Sequence, residues 1–208
     1  MSQRTAIILV DPYNEFLHPQ GKFYPRVSSS LNEVSTVSRI EALVAGARAA
    51  KIPIYYAMHR QTREGDYDGW LHPTTSNVRI KEHQAFALGS FGAEYYKGLE
   101  PDFSNGDVVA TEHWNSSGFE NTNLNHQLQK HGIQKVVLAG MVANTCLEAT
   151  ARYAVELGYH VTMLTDATAG FTKEAYEAAT TLIWPLFSHE VTTVDAFVES
   201  IQNGAPKT

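Results

Sequence analysis

Three groups of residues in this chain have the types and spacing for nucleophilic chemistry at a carbonyl: Asp11, the run Thr111, Glu112 and His113, and Cys146, the only cysteine. Cys146 sits in VVLAGMVANTCLEATARYAVELGYHV (136–161), where an apolar run ends at Gly140 and a helical pattern begins. A thiol in the first turn of a helix feels the positive end of the helix dipole, which lowers its pKa and favours the thiolate. The free N–H groups of that turn can also receive the oxyanion formed when a carbonyl is attacked. A lone cysteine is commonly a small core hydrophobe. That alternative requires the preceding glycine, the capping residues Asn144 and Thr145, and a strand edge to coincide by chance, so the sequence favours a nucleophile.

Asp11 ends an apolar run of five residues and precedes PYNEF. It is either an acid at the carboxyl edge of a strand or a turn-forming Asp before Pro12. The run ATEHWNSSGFENT puts Thr111, Glu112 and His113 at the end of another strand. A cysteine nucleophile needs a base or a cation nearby, and His113 or Glu112 can supply the base; equally, His113 and Trp114 are crevice walls.

The elements that must position these groups follow from hydrophobic patterning. Apolar, β-branched runs at 5–10, 52–58, 108–111, 135–139, 159–164 and 190–194 predict six strands. They alternate with helical patterns at 33–50, 121–131, 145–157, 173–182 and 195–202. Asn121 is expected to cap its helix, and Gly132 and Gly158 to close theirs. This alternation predicts an α/β fold, a doubly wound parallel sheet with helices on both faces, whose ligand crevice lies beyond the carboxyl ends of the strands. The stretch from about His59 to Asn105, with order hinted only at 80–88, has the length of a lid, binding loop or oligomer arm.

Composition bounds the rest. The 208 residues fit one domain, and 43% hydrophobic residues suffice for a core. The formal net charge of −6, with no basic footprint, argues against nucleic acid and anionic membranes as partners. A single cysteine forms no internal disulfide, and no run approaches the roughly 18 apolar residues of a spanning helix. With no leader-like pattern before the first strand, a cytoplasmic setting is expected.

With Asp11, the segment after the third strand and Cys146 in that order, the sequence resembles the isochorismatase-like cysteine hydrolase superfamily, which includes nicotinamidases and N-carbamoylsarcosine amidohydrolases. The resemblance rests on AIILVDPYNEF, HWNSSGFENTNL and VVLAGMVANTCLEATARYAVELGYHVTMLTDATAGF and covers most of the chain. It implies one hydrolase domain over residues 1–208, a Rossmann-like three-layer fold with a six-stranded parallel sheet, and assembly into a homo-oligomer, a dimer or tetramer. It also implies that Asp11 takes the thiol proton, that Cys146 attacks a small amide or ureido carbonyl to form an acyl-enzyme, and that the N–H groups of Val142 and Cys146 hold the oxyanion. A cis peptide is implied between Met141 and Val142.

Active members add a lysine at the end of the third strand. Here Thr111, Glu112 and His113 compete for that position. A protonated His113 preserves a cation, an inward Glu112 adds repulsion to the thiol and Asp11, and Thr111 only donates a hydrogen bond. Nicotinamidase-like members bind a metal near the end of the second strand; here Ala57 stands where the liganding Asp would be, and His72 and His83 lack ligand spacing, so neither metal nor cofactor is expected. Tyr13, Phe16, Trp114 and Phe119 are the candidate substrate contacts, suited to a small planar or apolar molecule. The competing functions are a silent member that binds a small molecule or protein, an isochorismatase-type ether hydrolase, and a redox sensor built on a low-pKa thiol.

Overall fold

A computed structural model describes residues 4–203. Six strands, β1 (Thr5–Val10), β2 (Ile54–Ala57), β3 (Val108–Val109), β4 (Lys135–Gly140), β5 (His160–Leu164) and β6 (Glu190–Thr192), form one sheet in the order β3-β2-β1-β4-β5-β6, every pair parallel. This is the doubly wound order, and its switch point lies between β1 and β4.

Strand alternation assigns side chains to the two faces. Ile7 and Leu9 of β1, Tyr56 of β2 and Val137 of β4 join one buried cluster with Ile40, Leu43 and Phe197 from the helices. Ala6, Ile8 and Val10, with Tyr55, Val136 and Leu138, join the other, against Leu128, Ala151 and Trp184. The first face carries α1 (Asn14–Leu17), α2 (Tyr24–Glu33), α3 (Thr36–Ala49) and α9 (Val194–Asn203). The second carries α5 (Leu124–Lys130), α6 (Glu148–Glu156) and α8 (Trp184–Phe187). The connection after β2 holds α4 (Thr75–His83), and α7 (Lys173–Glu177) follows β5.

Several sequence expectations shift. The pattern at 33–50 resolves into two helices broken at Ser35, whose φ of 56° is left-handed. Asn121, at φ 57°, caps nothing; α5 starts three residues later. Gly132 and Gly158 take the positive φ that closes α5 and α6. The pattern at 173–182 becomes α7, a π-helical turn over Ala178–Ile183 and α8. Cys146 does not open a regular α-helix either: a π-helical turn over Ala143–Leu147 precedes α6, and neither Asn144 nor Thr145 caps it.

Gly140 sits at the switch point with φ 114°, and a Cβ there would lie 2.0 Å from the Val10 carbonyl oxygen. No L side chain fits that approach of β4 to β1. Gly140→Ala is therefore expected to cost at least about 3 kcal/mol of stability, measured as a lower urea midpoint at unchanged m-value.

Candidate active site

The three strand ends singled out in the sequence meet above the switch point. Asp11 leaves β1 at φ 50°, a left-handed conformation that Asp tolerates better than most residues, and is 1% exposed. Its N–H donates to the Ala57 carbonyl at 3.0 Å, and its Oδ1 accepts the His59 N–H at 2.5 Å. The loops after β1 and β2 thus fix the carboxylate. Its second oxygen, Oδ2, is buried without a hydrogen-bond partner among the described residues, leaving one valence open for a proton.

His113 occupies the place beside it. Its N–H donates to the Met58 carbonyl at 2.9 Å, and a bridge pairs it with His59 beyond the end of β3. Nδ1 donates to the Asn115 carbonyl at 2.7 Å, which directs Nε2 towards Asp11 Oδ1 at 3.3 Å, an ion-pair distance without hydrogen-bond alignment. Burial opposes the imidazolium, but the Asp11 carboxylate and the Asn115 carbonyl outweigh it and raise its pKa above the usual 6.5. The neighbouring His59 goes the other way: burial, reinforced by His113, lowers it to about 4. The site thus biases His113 towards the imidazolium and holds His59 neutral at pH 6.5.

The other two contenders for the lysine position turn away. Glu112 lies 3.7 Å from the Arg60 guanidinium, and Thr111 is exposed, its N–H donating to Asn123 Oδ1 at 2.8 Å. Chain geometry explains this: regular pairing of β3 ends at Val109, so the next residues follow the local bend rather than strand alternation.

Cys146 and Asp11 line the same cavity of about 380 Å³. The Cys146 thiol is pushed well above its usual range, first by burial and then by the Asp11 carboxylate. This runs against the expectation of a thiolate favoured by a helix start: after the π-helical turn, Cys146 stands half-buried at the cavity wall, facing an anion. A raised thiol pKa speaks against the low-pKa thiol on which a redox sensor depends. The resting pair is a thiol facing a carboxylate, the arrangement that general-base activation requires. The peptide between Met141 and Val142 is cis, and the Val142 carbonyl accepts the N–H groups of Thr145 and Leu147, folding the turn beneath Cys146.

Of the predicted substrate contacts, Phe16 and Trp114 line the cavity. Tyr13 does not: it is buried behind the wall, its hydroxyl donating to the His59 carbonyl at 2.7 Å. Phe119 lies on the other side of the sheet, stacked on Tyr153 with ring centroids 6.0 Å apart. The sequence reading missed Phe23, Phe86, Trp70, Phe171, Arg26 and Arg79, which also line the cavity. Phe16, Phe23 and Phe86 form one aromatic cluster, with centroids 5.4 to 5.8 Å apart. Tyr67, Trp70 and Trp114 form a second, with Arg60 over the Trp114 ring at 4.5 Å. The aromatic content of the long connection was the available signal. Of the histidines weighed as ligands, His72 is exposed at the cavity and His83 ends α4 edge-on to Phe23; His59, just past β2, is buried against Phe86.

Known proteins share this fold and much of this sequence pattern. A family model described as an isochorismatase domain matches residues 5–196. The chain is 26% identical to a ureidoacrylate amidohydrolase, RutB, of Rhizobium rhizogenes, over 97% of this chain and 85% of that protein. It is 30% identical to an Arabidopsis thaliana protein described as a probable inactive nicotinamidase, over 85% of this chain and 86% of the relative. A solved cysteine hydrolase from Pseudomonas syringae pv. phaseolicola superposes with a TM-score of 0.80 at 29% identity, covering 97% of this chain and 94% of that one.

Proposed function

The chain belongs to the isochorismatase family, and from that premise we propose that it is a cysteine-dependent hydrolase of a small amide or ureido compound, working through an acyl-enzyme. The observation that carries the proposal is the meeting of Asp11, His113 and Cys146 at the switch point: a carboxylate with a free oxygen, an ion-pair partner 3.3 Å away, and a thiol at the same cavity whose pKa is raised by burial and then by this carboxylate.

In this reading Asp11 Oδ2 takes the thiol proton as Sγ forms a bond to the carbonyl carbon. The carbonyl π electrons move to oxygen, and the N–H groups of Val142 and Cys146 receive the oxyanion. Collapse restores the carbonyl, breaks the carbon–nitrogen bond and sends the Asp11 proton to the leaving nitrogen. Water then attacks the thioester, giving its proton to Asp11; the acid departs, and the thiolate recovers that proton. His113 is a positioning residue, a cation that pairs with Asp11 where active relatives of this kind use lysine. Phe16 and Trp114 contact the substrate, and no metal or cofactor takes part.

A second reading, a silent member that binds without turnover, is favoured by the missing lysine and the raised thiol pKa. Incubation with 4-nitrophenyl acetate separates the two. Intact-mass spectrometry is expected to show one acetyl group, removed by Cys146→Ala and strongly slowed by Asp11→Asn. A protein that carries no acetyl group when quenched during incubation and releases 4-nitrophenolate no faster than Cys146→Ala would leave the binder as the better account.

Among the described residues no helix is long and apolar enough to cross a membrane. A cytoplasmic, self-associating protein folded as one hydrolase domain completes the proposal. The unpaired cysteine supports the location, and Leu182 and Leu186, 67% and 83% exposed, offer apolar surface for a second copy.

A further inference from the structure

Acidic residues outnumber basic ones in this chain, 22 to 16, yet the cavity at Cys146 has the opposite balance. Among the described residues Asp11 is the only carboxylate in its lining, and His113 is already paired with it. Two arginines line the same cavity, Arg26 from the first turn of α2 and Arg79 from α4. Neither has a carboxylate within ion-pair distance among the described residues; nor do Arg4 and Arg63, which lie outside the cavity, whereas Arg48 and Arg152 have one each and Arg39 and Arg60 two each. Arg26 is nonetheless held in place: its guanidinium lies over the Phe171 ring, 5.2 Å from the centroid, and Phe171 lines the cavity too. The ring attracts the cation without using its N–H groups, which have no hydrogen-bond partner among the described residues.

Arg26 is half-buried and Arg79 exposed, so the cavity, walled by aromatic and small polar side chains, is bordered by two guanidiniums without carboxylate partners, an arrangement open to an anion from outside the chain. We propose that the substrate carries a carboxylate at the end away from its scissile carbonyl, received by Arg26 and Arg79 while the carbonyl sits at Cys146. A carboxylate is the smallest anion that matches the planar guanidinium fork. The position of the carbonyl rests on the hydrolase reading above; the carboxylate site rests on the arginines alone.

The test uses pairs that differ only in charge, because a nitro group has the shape of a carboxylate without its negative charge. The probes are 4-carbamoylbenzoate against 4-nitrobenzamide, and 4-ureidobenzoate against 4-nitrophenylurea. Their Kd values are measured by calorimetry on the Cys146→Ala protein, where nothing can be hydrolysed. The carboxylate of at least one pair is expected to bind tenfold or more tighter than its nitro twin, with the ratio shrinking as salt rises. Arg26→Gln with Arg79→Gln should bring that ratio to within about twofold of one, and Arg26→Lys should keep part of it. Because the readout is a ratio within one protein, a general loss of folding does not mimic it. Equal binding within both pairs, no binding by any probe, or a preference that survives the double substitution overturns the proposal. A strong carboxylate preference in a wild-type protein that never acylates Cys146 would retain the anion site and reject the hydrolase.

Discussion

Cys146→Ala is expected to lower kcat/KM on a small amide by roughly 10⁴-fold or more, the scale on which removing a covalent nucleophile acts. The fold should be unaffected, because the change deletes one sulfur from a partly open position at the cavity. Cys146→Ser should be nearly as damaging. Asp11 must then deprotonate a much weaker acid in a pocket that already pushes even a thiol well above its usual range. Asp11→Asn keeps an oxygen to accept the His59 N–H but removes the base, so a loss of similar order is expected. Combining Cys146→Ala with Asp11→Asn should cost little more than either alone, since the two groups serve one proton transfer and their effects are not additive. Steady-state kinetics on the two single variants and the double variant read all of this. Turnover that survives Cys146→Ala would sink the acyl-enzyme and return attention to direct attack by water, as in ether hydrolysis.

That prediction relies on chemistry partly legible in the sequence and partly not. β1, β4 and β5 stand out because they are buried on both faces, which forces near-continuous apolar runs such as AIILV and VVLAG. β3 sits at the sheet edge and is only two residues long, so the run at 108–111 has little pattern to reveal its end. That shortness is why the competition among Thr111, Glu112 and His113 needed coordinates. α2 was missed because YPRVSSSLNE, with Pro at its second position and three consecutive serines, has the composition of a loop; its apolar face shows only in Val27 and Leu31. Missing α2 meant missing Arg26. The thiol was misjudged for a different reason. Helix-dipole reasoning is local, whereas the dominant influences on Cys146 are burial and a carboxylate 135 positions earlier in the chain, as 146 − 11 shows.

His113 carries the second large expectation. Replacing it by glutamine should reduce kcat/KM on the order of 10²-fold, because Asp11 then faces the thiol without its ion-pair partner. His113→Lys, which supplies a permanent cation, should recover much of the loss. A merely structural role would give the same falls with no change of pH dependence, so the profile decides. In the wild type the imidazolium persists above pH 6.5 because the His113 pKa is raised, and activity should decline as pH rises through that value. The lysine variant should shift this alkaline limb upward towards lysine's own range, and the glutamine variant should lose it.

Stability must follow the same sign. A raised histidine contributes fully below about pH 6.5, and its contribution fades as pH climbs through the folded-state pKa. His59, lowered to about 4, behaves oppositely: its contribution is present above pH 6.5 and is lost, by up to about 3 kcal/mol, as pH falls towards 4. Urea denaturation of His113→Gln across the pH range should therefore lose the alkaline decline and keep the acid one. If the alkaline limb of kcat/KM stays in place in both His113 variants, the cation beside Asp11 is not what governs it. The site would then have to work with the bare carboxylate that the sequence, by omitting the lysine, first brought into question.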